Sequence, residues 1–331
     1  MEKINNHIIV LRVSKKRTTS QGAKELSKVL NALRENYSDV EEFTINSMLD
    51  LEILSNKTPD LVFVGASPKR ITLYENGQSN TVWLSKFLED NSLAFTGSNI
   101  NAILLDSYKS NAKMAIQNAG IKTADYFSAK PNQYSSTDTL PIEYPLFIKP
   151  PNSGGGKGID KYSVVHNFND FEQKILSVAT VFKTDSLVEE YLHGREFTVA
   201  ILTNYVTDTM MAMPVEIITE KNSRGDRIVG SNVKKNDKEK VQAIEDSILR
   251  QSLSDFAVNS FRALNAKDYG RIDIRMDKSG TLHFLEANLR PGLGGGYFTR
   301  ACWINQKIPY NDVISNIVSL ALNKKAKPSY F

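Results

Sequence analysis

Between Tyr269 and Gly292 the chain alternates charged and apolar residues on either side of a short turn, Asp277-Lys278-Ser279-Gly280, a pattern that reads as two strands of a hairpin. Side chains alternate across a strand, so Arg271, Asp273 and Arg275 share one face while Ile272, Ile274 and Met276 share the other. The apolar set is expected to face the core. On the return strand Glu286 and Asn288 share a face, and a hairpin brings them beside Asp273. Two carboxylates and an amide oxygen are hard ligands, suited to a Mg²⁺ ion that also binds substrate phosphates. Taken alone, the hairpin reads equally well as an ordinary antiparallel pair with a wet, charged face.

The glycines shift that balance. Their number is ordinary, but they cluster at Gly154-Gly155-Gly156-Lys157-Gly158 and at Gly292-Leu293-Gly294-Gly295-Gly296. A glycine run lets backbone N–H groups approach phosphate oxygens, because no Cβ blocks the way; a flexible surface turn is the plainer account. The first cluster is not a Walker A loop, since Gly158 follows Lys157 where Ser or Thr is needed. Nor is it a Rossmann fingerprint, as it sits in mid-chain with no helix signal directly after it. Lys149 ends a buried-looking strand, Tyr144–Lys149, just before this loop, where a lysine with no task is poorly placed. Lys109 reads by itself as a solvated helix residue. Glu189 and Glu190 close a strand from Leu187, and with Glu196 they are candidate acceptors for ribose hydroxyls.

At 331 residues the chain is long enough for two or three domains. Up to about residue 105, short apolar runs alternate with amphipathic stretches, the mark of βα units and a parallel sheet. Ile8–Val13 and Asp60–Gly65 read as strands, with a helix carrying Leu26, Val29, Leu30 and Leu33 between them. A helix over Thr81–Asp90 and a short strand over Leu93–Phe95 are expected next. Beyond Asp106 come a helix over Ser110–Ala119, the strand into the glycine loop, a helix over Phe171–Ala179 and a strand over Leu187–Tyr191. Strands at Phe197–Leu202 and Met210–Ile217, a charged stretch from Glu220 to Lys240, and a helix with Leu249, Leu253, Phe256, Ser260 and Leu264 on one face lead to the hairpin.

Composition removes several classes. Hydrophobic residues at 41% and charged residues at 24% fit a folded soluble protein and not a disordered or membrane one. A surplus of 41 basic over 37 acidic side chains is too small to imply nucleic acid. The single Cys302 forms no intrachain disulfide, and the four histidines show no metal-ligand spacing, so a reducing cytoplasm is expected. His7–Val13 is too short to span a membrane and no cleavage pattern follows it.

Together these residues resemble the ATP-grasp superfamily, in its D-alanine-D-alanine ligase branch, over roughly residues 105 to 295. The most specific stretches are Tyr144–Gly158, Leu187–Leu202 with Gly194-Arg195-Glu196-Phe197-Thr198-Val199-Ala200, and Gly270–Asp273 through Leu285–Asn288 to Pro291-Gly292. The resemblance implies a mixed α/β and α+β ATP-grasp fold: a Rossmann-like domain over 1–105, a central ATP-binding lid domain over 106–192 and a catalytic metal- and phosphate-binding domain over 193–331. It further implies that Lys109 and Lys149 bind the α- and β-phosphates of ATP, that Gly154, Gly155 and Gly156 fold over the nucleotide, that Glu189, Glu190, Tyr191 and Leu192 line the adenine pocket, and that Glu196 holds the ribose. Asp273, Glu286 and Asn288 would bind two Mg²⁺ ions, with Mn²⁺ as a substitute, and Arg271 would stabilise the charge on the transferred phosphoryl group. The partners it implies are a small carboxylate and an amine, in a homodimer.

The departures concern amino-acid recognition. The family places a glutamate after the first strand, a serine in the glycine loop and a tyrosine after a catalytic lysine. Here the strand leads into Val13-Ser14-Lys15-Lys16-Arg17, the loop has Gly155, and the best candidate lysine, Lys234, is followed by Lys235. Tyr297 stands near the place of a serine that binds the second substrate's carboxylate. Arg290, Gly292 and Tyr297 are the candidate substrate contacts, and Lys69, Arg70 and Arg300 are further cations able to grip a carboxylate. The expected activity is an ADP-forming carboxylate-amine ligase making a dipeptide or amide in specialised metabolism. A divergent D-alanine-D-alanine ligase and a nucleotide-binding regulator without turnover are the alternatives.

Overall fold

A computed structural model describes residues 3–13, 20–65, 67–75, 77–231, 233, 236 and 239–326. The first layer is a parallel sheet in the order β2-β1-β3, formed by β1 (Ile4–Val13), β2 (Tyr37–Ile45) and β3 (Leu61–Phe63). Ile8 to Leu11 are fully buried, as expected for a central parallel strand covered on both faces. Helices α1 (Ser20–Asn36) and α2 (Met48–Asn56) make the crossovers. Leu26, Val29, Leu30 and Leu33 form the buried stripe of α1. A serine N-cap at Ser47, answered by Asp50 in a capping box, starts α2.

The helix expected over Thr81–Asp90 begins as strand and turns helical only from Leu84. β4 (Arg70–Glu75) and β5 (Gln78–Trp83) form an antiparallel hairpin, and α3 covers only Leu84–Asp90. Thr81, Val82 and Trp83 are β-branched or aromatic and pair with Thr72, Ile71 and Arg70 respectively, so sheet pairing wins over the helical run. Leu93–Phe95 contributes a single parallel bridge from Phe95 to Val62. α4 (Ile100–Ser107) and α5 (Lys109–Asn118) follow.

A four-stranded antiparallel sheet in the order β6-β9-β7-β8 comes next: β6 (Tyr126–Ala129), β7 (Leu146–Lys149), β8 (Val164–Val165) and β9 (Ser186–Glu190), with α6 (Phe168–Phe182) packed against it. The largest sheet has five antiparallel strands in the order β12-β11-β10-β13-β14. These are β10 (Glu196–Thr203), β11 (Met210–Ile218), β12 (Lys240–Ala243), β13 (Tyr269–Met276) and β14 (Leu282–Asn288).

This sheet is buried on both sides. Phe197, Val199, Ile201, Ile272 and Ile274 meet α4, α5 and α7 (Ser247–Ala263), while Ala200, Leu202, Met213 and Val215 meet α8 (Tyr297–Gln306) and the first layer. The last helix, α9 (Tyr310–Ala326), returns to pack on α1 and β3 through Val313, Ile314, Ile317 and Val318. The apolar face of β13 therefore faces a core as expected. The charged face is not wet, because Arg271, Asp273 and Arg275 are each 8% exposed or less. Among the described residues no helix is long and apolar enough to cross a membrane.

Candidate active site

The site lies where β7 and β9 of one sheet meet β10, β13 and β14 of the other, with α5 and the first glycine loop at its edge. Asp273 pairs directly with Glu286, and Arg271 with Asn288, so the three expected metal ligands stand on adjacent strands. The register slips between Asp273 and Ile274, and Leu285 is the extra residue of the bulge. Asp273 is held tightly: its Oδ1 accepts from Thr198 Oγ1 at 2.6 Å and from Arg271 Nε at 2.8 Å, and its Oδ2 from Arg271 Nη2 at 2.9 Å. Burial lowers the Arg271 pKa, but the carboxylate of Asp273 more than offsets this and the net shift is upward.

A cleft partly open to solvent runs along this face. Lys109, Lys149, Gly156, Glu189, Glu190, Tyr191, Leu192, Glu196, Asp273 and Glu286, all expected from the sequence as site residues, line it together. Phe147, Ile159, Val229 and Leu285 supply apolar walls, and Ser153, Lys157 and Arg275 polar ones. Lys109 begins α5, donates to Ser153 O at 2.6 Å and lies 3.4 Å from Glu286. Glu196 accepts from Arg275 Nη1 at 3.2 Å, and Arg275 Nη2 also donates to Tyr191 Oη and to Arg227 O, both at 3.1 Å. Arg275 thus braces the segment expected to hold adenine and ribose.

Phe147, Lys149 and Glu189 share a face, because Phe147 pairs with Glu189 and Lys149 lies two residues on. Lys149 Nζ is 2.7 Å from Glu189 Oε2. A second lysine, Lys113, which is not among the residues expected from the sequence, is fully buried and pairs with Glu189 Oε1 at 2.8 Å. Burial alone pushes the Glu189 pKa up; the two ammonium groups reverse this and hold it below the usual range. Burial pushes Lys113 down, whereas at Lys149 the surrounding glutamates overcome burial and push it up. Helical spacing of four from Lys109 is the one sequence signal that points to Lys113.

The glycine loop is docked and not splayed. A Cβ on Gly156, at φ +75°, would stand 2.8 Å from Ser231 N, and one on Gly230 would stand 2.6 Å from Ile159 O. Gly154 and Gly155 face open space.

The expected acceptor residues are dispersed. Tyr297 lies beside Arg271, whose guanidinium is 5.2 Å from the ring centroid, and donates to Glu239 Oε1 at 2.6 Å. Burial, reinforced by Glu239, drives the tyrosine pKa far upward. Arg290 is engaged elsewhere, donating to Pro68 O at 3.0 Å, Ser85 Oγ at 3.1 Å and Ser67 O at 3.5 Å. Lys69 pairs with Asp106, Arg70 lies over Trp83, and Arg300 donates to Gly295 O at 3.2 Å. Gly292 is exposed beside α1, where Glu25 accepts from Leu293 N at 2.6 Å. Lys234, the expected catalytic lysine, and Lys235 lie outside the described residues.

Among the described residues no three His, Cys, Asp or Glu side chains gather to hold a metal. Asp273, Glu286 and Asn288 offer two carboxylates and an amide oxygen on adjacent strands, an open donor set whose hardness suits Mg²⁺ beside a phosphate better than a closed protein cage.

The sequence profile of the D-ala D-ala ligase C-terminus family matches residues 115–319. The D-alanine--D-alanine ligase B of Clostridium tetani is 29% identical over 281 residues, spanning 82% of this chain and 74% of that protein. The D-alanine--D-alanine ligase of Aquifex aeolicus is 28% identical over 290 residues, 86% of this chain and 90% of the relative. The crystal structure of D-alanine--D-alanine ligase from Bacillus anthracis complexed with ATP superposes with a TM-score of 0.73 at 18% identity, covering 97% and 99% of the two chains, a likeness of fold. With a family match over well more than half its length and strands that put two carboxylates, an amide and an arginine on one enclosed face, the chain belongs to the ATP-grasp family of D-Ala-D-Ala ligase-like proteins and is an ATP-dependent carboxylate-amine ligase.

Proposed function

We propose that the chain couples an amino acid, or a related carboxylic acid, to an amine through an acyl phosphate, and that the product is a dipeptide or amide of specialised metabolism. The observation that carries this reading is the enclosed face of β13 and β14, where Asp273 opposes Glu286 and Arg271 lies between Asp273 and Tyr297. A carboxylate oxygen is a poor leaving group. Transfer of the γ-phosphoryl group from ATP to that oxygen releases ADP and makes it a good one. The amine lone pair then forms the C–N bond, the C–O bond breaks, and phosphate leaves with the bonding pair and takes up a proton from the nitrogen.

In this reading Lys109 and Lys149 receive the phosphates, the glycine loop adds backbone N–H donors, Glu189 to Leu192 line the adenine site and Glu196 accepts from the ribose. Arg271, fixed in position by Asp273, stabilises charge on the transferred group and on the oxyanion of the tetrahedral intermediate. Asp273, Glu286 and Asn288 would hold a pair of Mg²⁺ ions, whose chemistry is to neutralise the phosphates that otherwise repel an anionic acid. Tyr297, hydrogen-bonded to Glu239, lies beside Arg271, where the acceptor amine would enter.

The names of the relatives favour a second product of the same chemistry, D-alanyl-D-alanine, which accounts for the comparisons about as well. Gly155 in the loop and Tyr297 beside Arg271 are the residues that favour a different pair of substrates. Phosphate release measured with ATP, Mg²⁺ and pairs from a panel of amino acids and amines, followed by mass spectrometry of the product, separates the two. Turnover confined to D-alanine replaces the first reading with the second. Asp273→Asn and Glu286→Gln should each lower turnover by about a hundredfold or more while circular dichroism shows a folded chain. Normal product formation in both variants would sink the site assignment.

A further inference from the structure

The described part of the cleft contains more buried charge than phosphate binding by Lys109 and Lys149 requires. Lys113 rises from α5 one turn after Lys109 and is fully buried, which lysine seldom tolerates without a partner. Its ammonium group has three neighbours. It donates to Thr123 Oγ1 at 2.6 Å, lies 2.8 Å from Glu189 Oε1, and sits 5.5 Å from the ring centroid of Tyr126. Thr123 in turn donates to Phe284 O at 2.7 Å, which ties the group to β14 two residues before Glu286. The other oxygen of Glu189 belongs to Lys149, at 2.7 Å.

We propose that Lys113 is a positioning residue for nucleotide phosphates: it keeps Glu189 paired, so that Lys149 can leave that carboxylate and engage a phosphate without stranding a buried anion. The inference rests on the reading of Lys149 as a phosphate ligand given above. Two cations against one anion leave one unit of positive charge on the triad. A lone Lys149–Glu189 pair would carry none, and in a low-dielectric interior opening it would leave a bare carboxylate, which is strongly unfavourable. With Lys113 on Oε1, the second lysine can exchange Glu189 for phosphate and the carboxylate still has a partner. The two sides of Glu189 thus have different tasks: Lys113 is locked in place by Thr123, whereas Lys149 lines the cleft.

A purely structural ion pair predicts a different result. Removing it would loosen the site and weaken every ligand alike, whereas the charge argument applies only to ligands with phosphates. The test is calorimetric titration of the full-length protein with Mg-ATP, Mg-ADP and adenosine, for wild type, Lys113→Met, Lys113→Arg and Lys149→Met. Lys113→Met should weaken ATP and ADP by about tenfold or more and adenosine by less than about twofold, and Lys113→Arg should recover most of the loss. Should Lys113→Met not fold, Lys113→Gln, which retains a donor for Glu189 and Thr123 without the charge, carries the same expectation.

Equal weakening of ATP and adenosine, or unchanged ATP binding in a folded Lys113→Gln, overturns the proposal. Lys149→Met separates the two levels. If it leaves the ATP-to-adenosine ratio unchanged, the phosphate reading of Lys149 itself fails. If it lowers that ratio while the Lys113 variants do not, only the role of Lys113 falls.

Discussion

Glu25 shows how one side chain can hold two parts of the chain together at a cost that depends on pH. Its carboxylate reaches from α1 to Leu293 N, and burial raises its pKa above the ordinary 4.5, an effect the hydrogen bond only partly reverses. A group whose folded-state pKa is raised contributes stability that is fully present below the unfolded value and is lost as pH rises through the folded one. Glu25→Gln keeps the acceptor for Leu293 and cannot ionise. Its melting temperature should equal or exceed that of wild type at pH 8, and the gap should close as pH falls below 4.5. A wild-type protein that gains on the variant as pH rises would reverse the sign of this effect. Some residues of the site are legible in the sequence and Glu25 is not. Asp273, Glu286 and Asn288 follow from alternation about one turn, which is local information. Glu25 and Arg275 act through partners far away in sequence, Leu293 and Arg227, and no spacing rule reaches across such gaps; helical spacing from Lys109 marks Lys113 but not its partner Glu189.

The first glycine loop presents the same contrast within one element. Its cluster of glycines is visible in the sequence, but which glycine matters depends on what lies opposite. Gly156 adopts a left-handed φ of +75° and faces the backbone of Ser231, while a Cβ on Gly154 would meet nothing within 4 Å. Gly156→Ala should therefore displace the loop and lower kcat/KM for ATP by about tenfold to a hundredfold, with Gly154→Ala close to wild type. Similar losses in both, measured by steady-state phosphate release, would show that flexibility and not docking is what the loop needs. The β4–β5 hairpin escapes the sequence pattern for a related reason. Thr81, Val82 and Trp83 run on into the helical Leu84–Asp90 without a break, and only pairing with Arg70, Ile71 and Thr72 makes them a strand. The burial of the charged face of β13 is equally hidden, since alternation says which residues share a face and not what covers it.

Seen as a whole, the molecule is stitched by contacts from its last third to its first. Arg290, just beyond β14, donates to Ser67 O, Pro68 O and Ser85 Oγ, and Leu289 N donates to Asp106 Oδ2 at 3.2 Å. Arg290→Ala would leave carbonyls at the junction without their donor and should cost about 2 to 4 kcal/mol of unfolding free energy by urea titration. A loss below about 0.5 kcal/mol would mean that water replaces the guanidinium there. The same core that joins first and last elements also contains Cys302, fully buried on α8 beside Phe298 and Ala301, with burial pushing its pKa up to about 12. It is the chain's only sulfhydryl. A thiol reagent can therefore mark a molecule only while α8 has come away from the five-stranded sheet. The rate of covalent labelling becomes a clock for rare openings of the native protein, readable with and without nucleotide and without any denaturant.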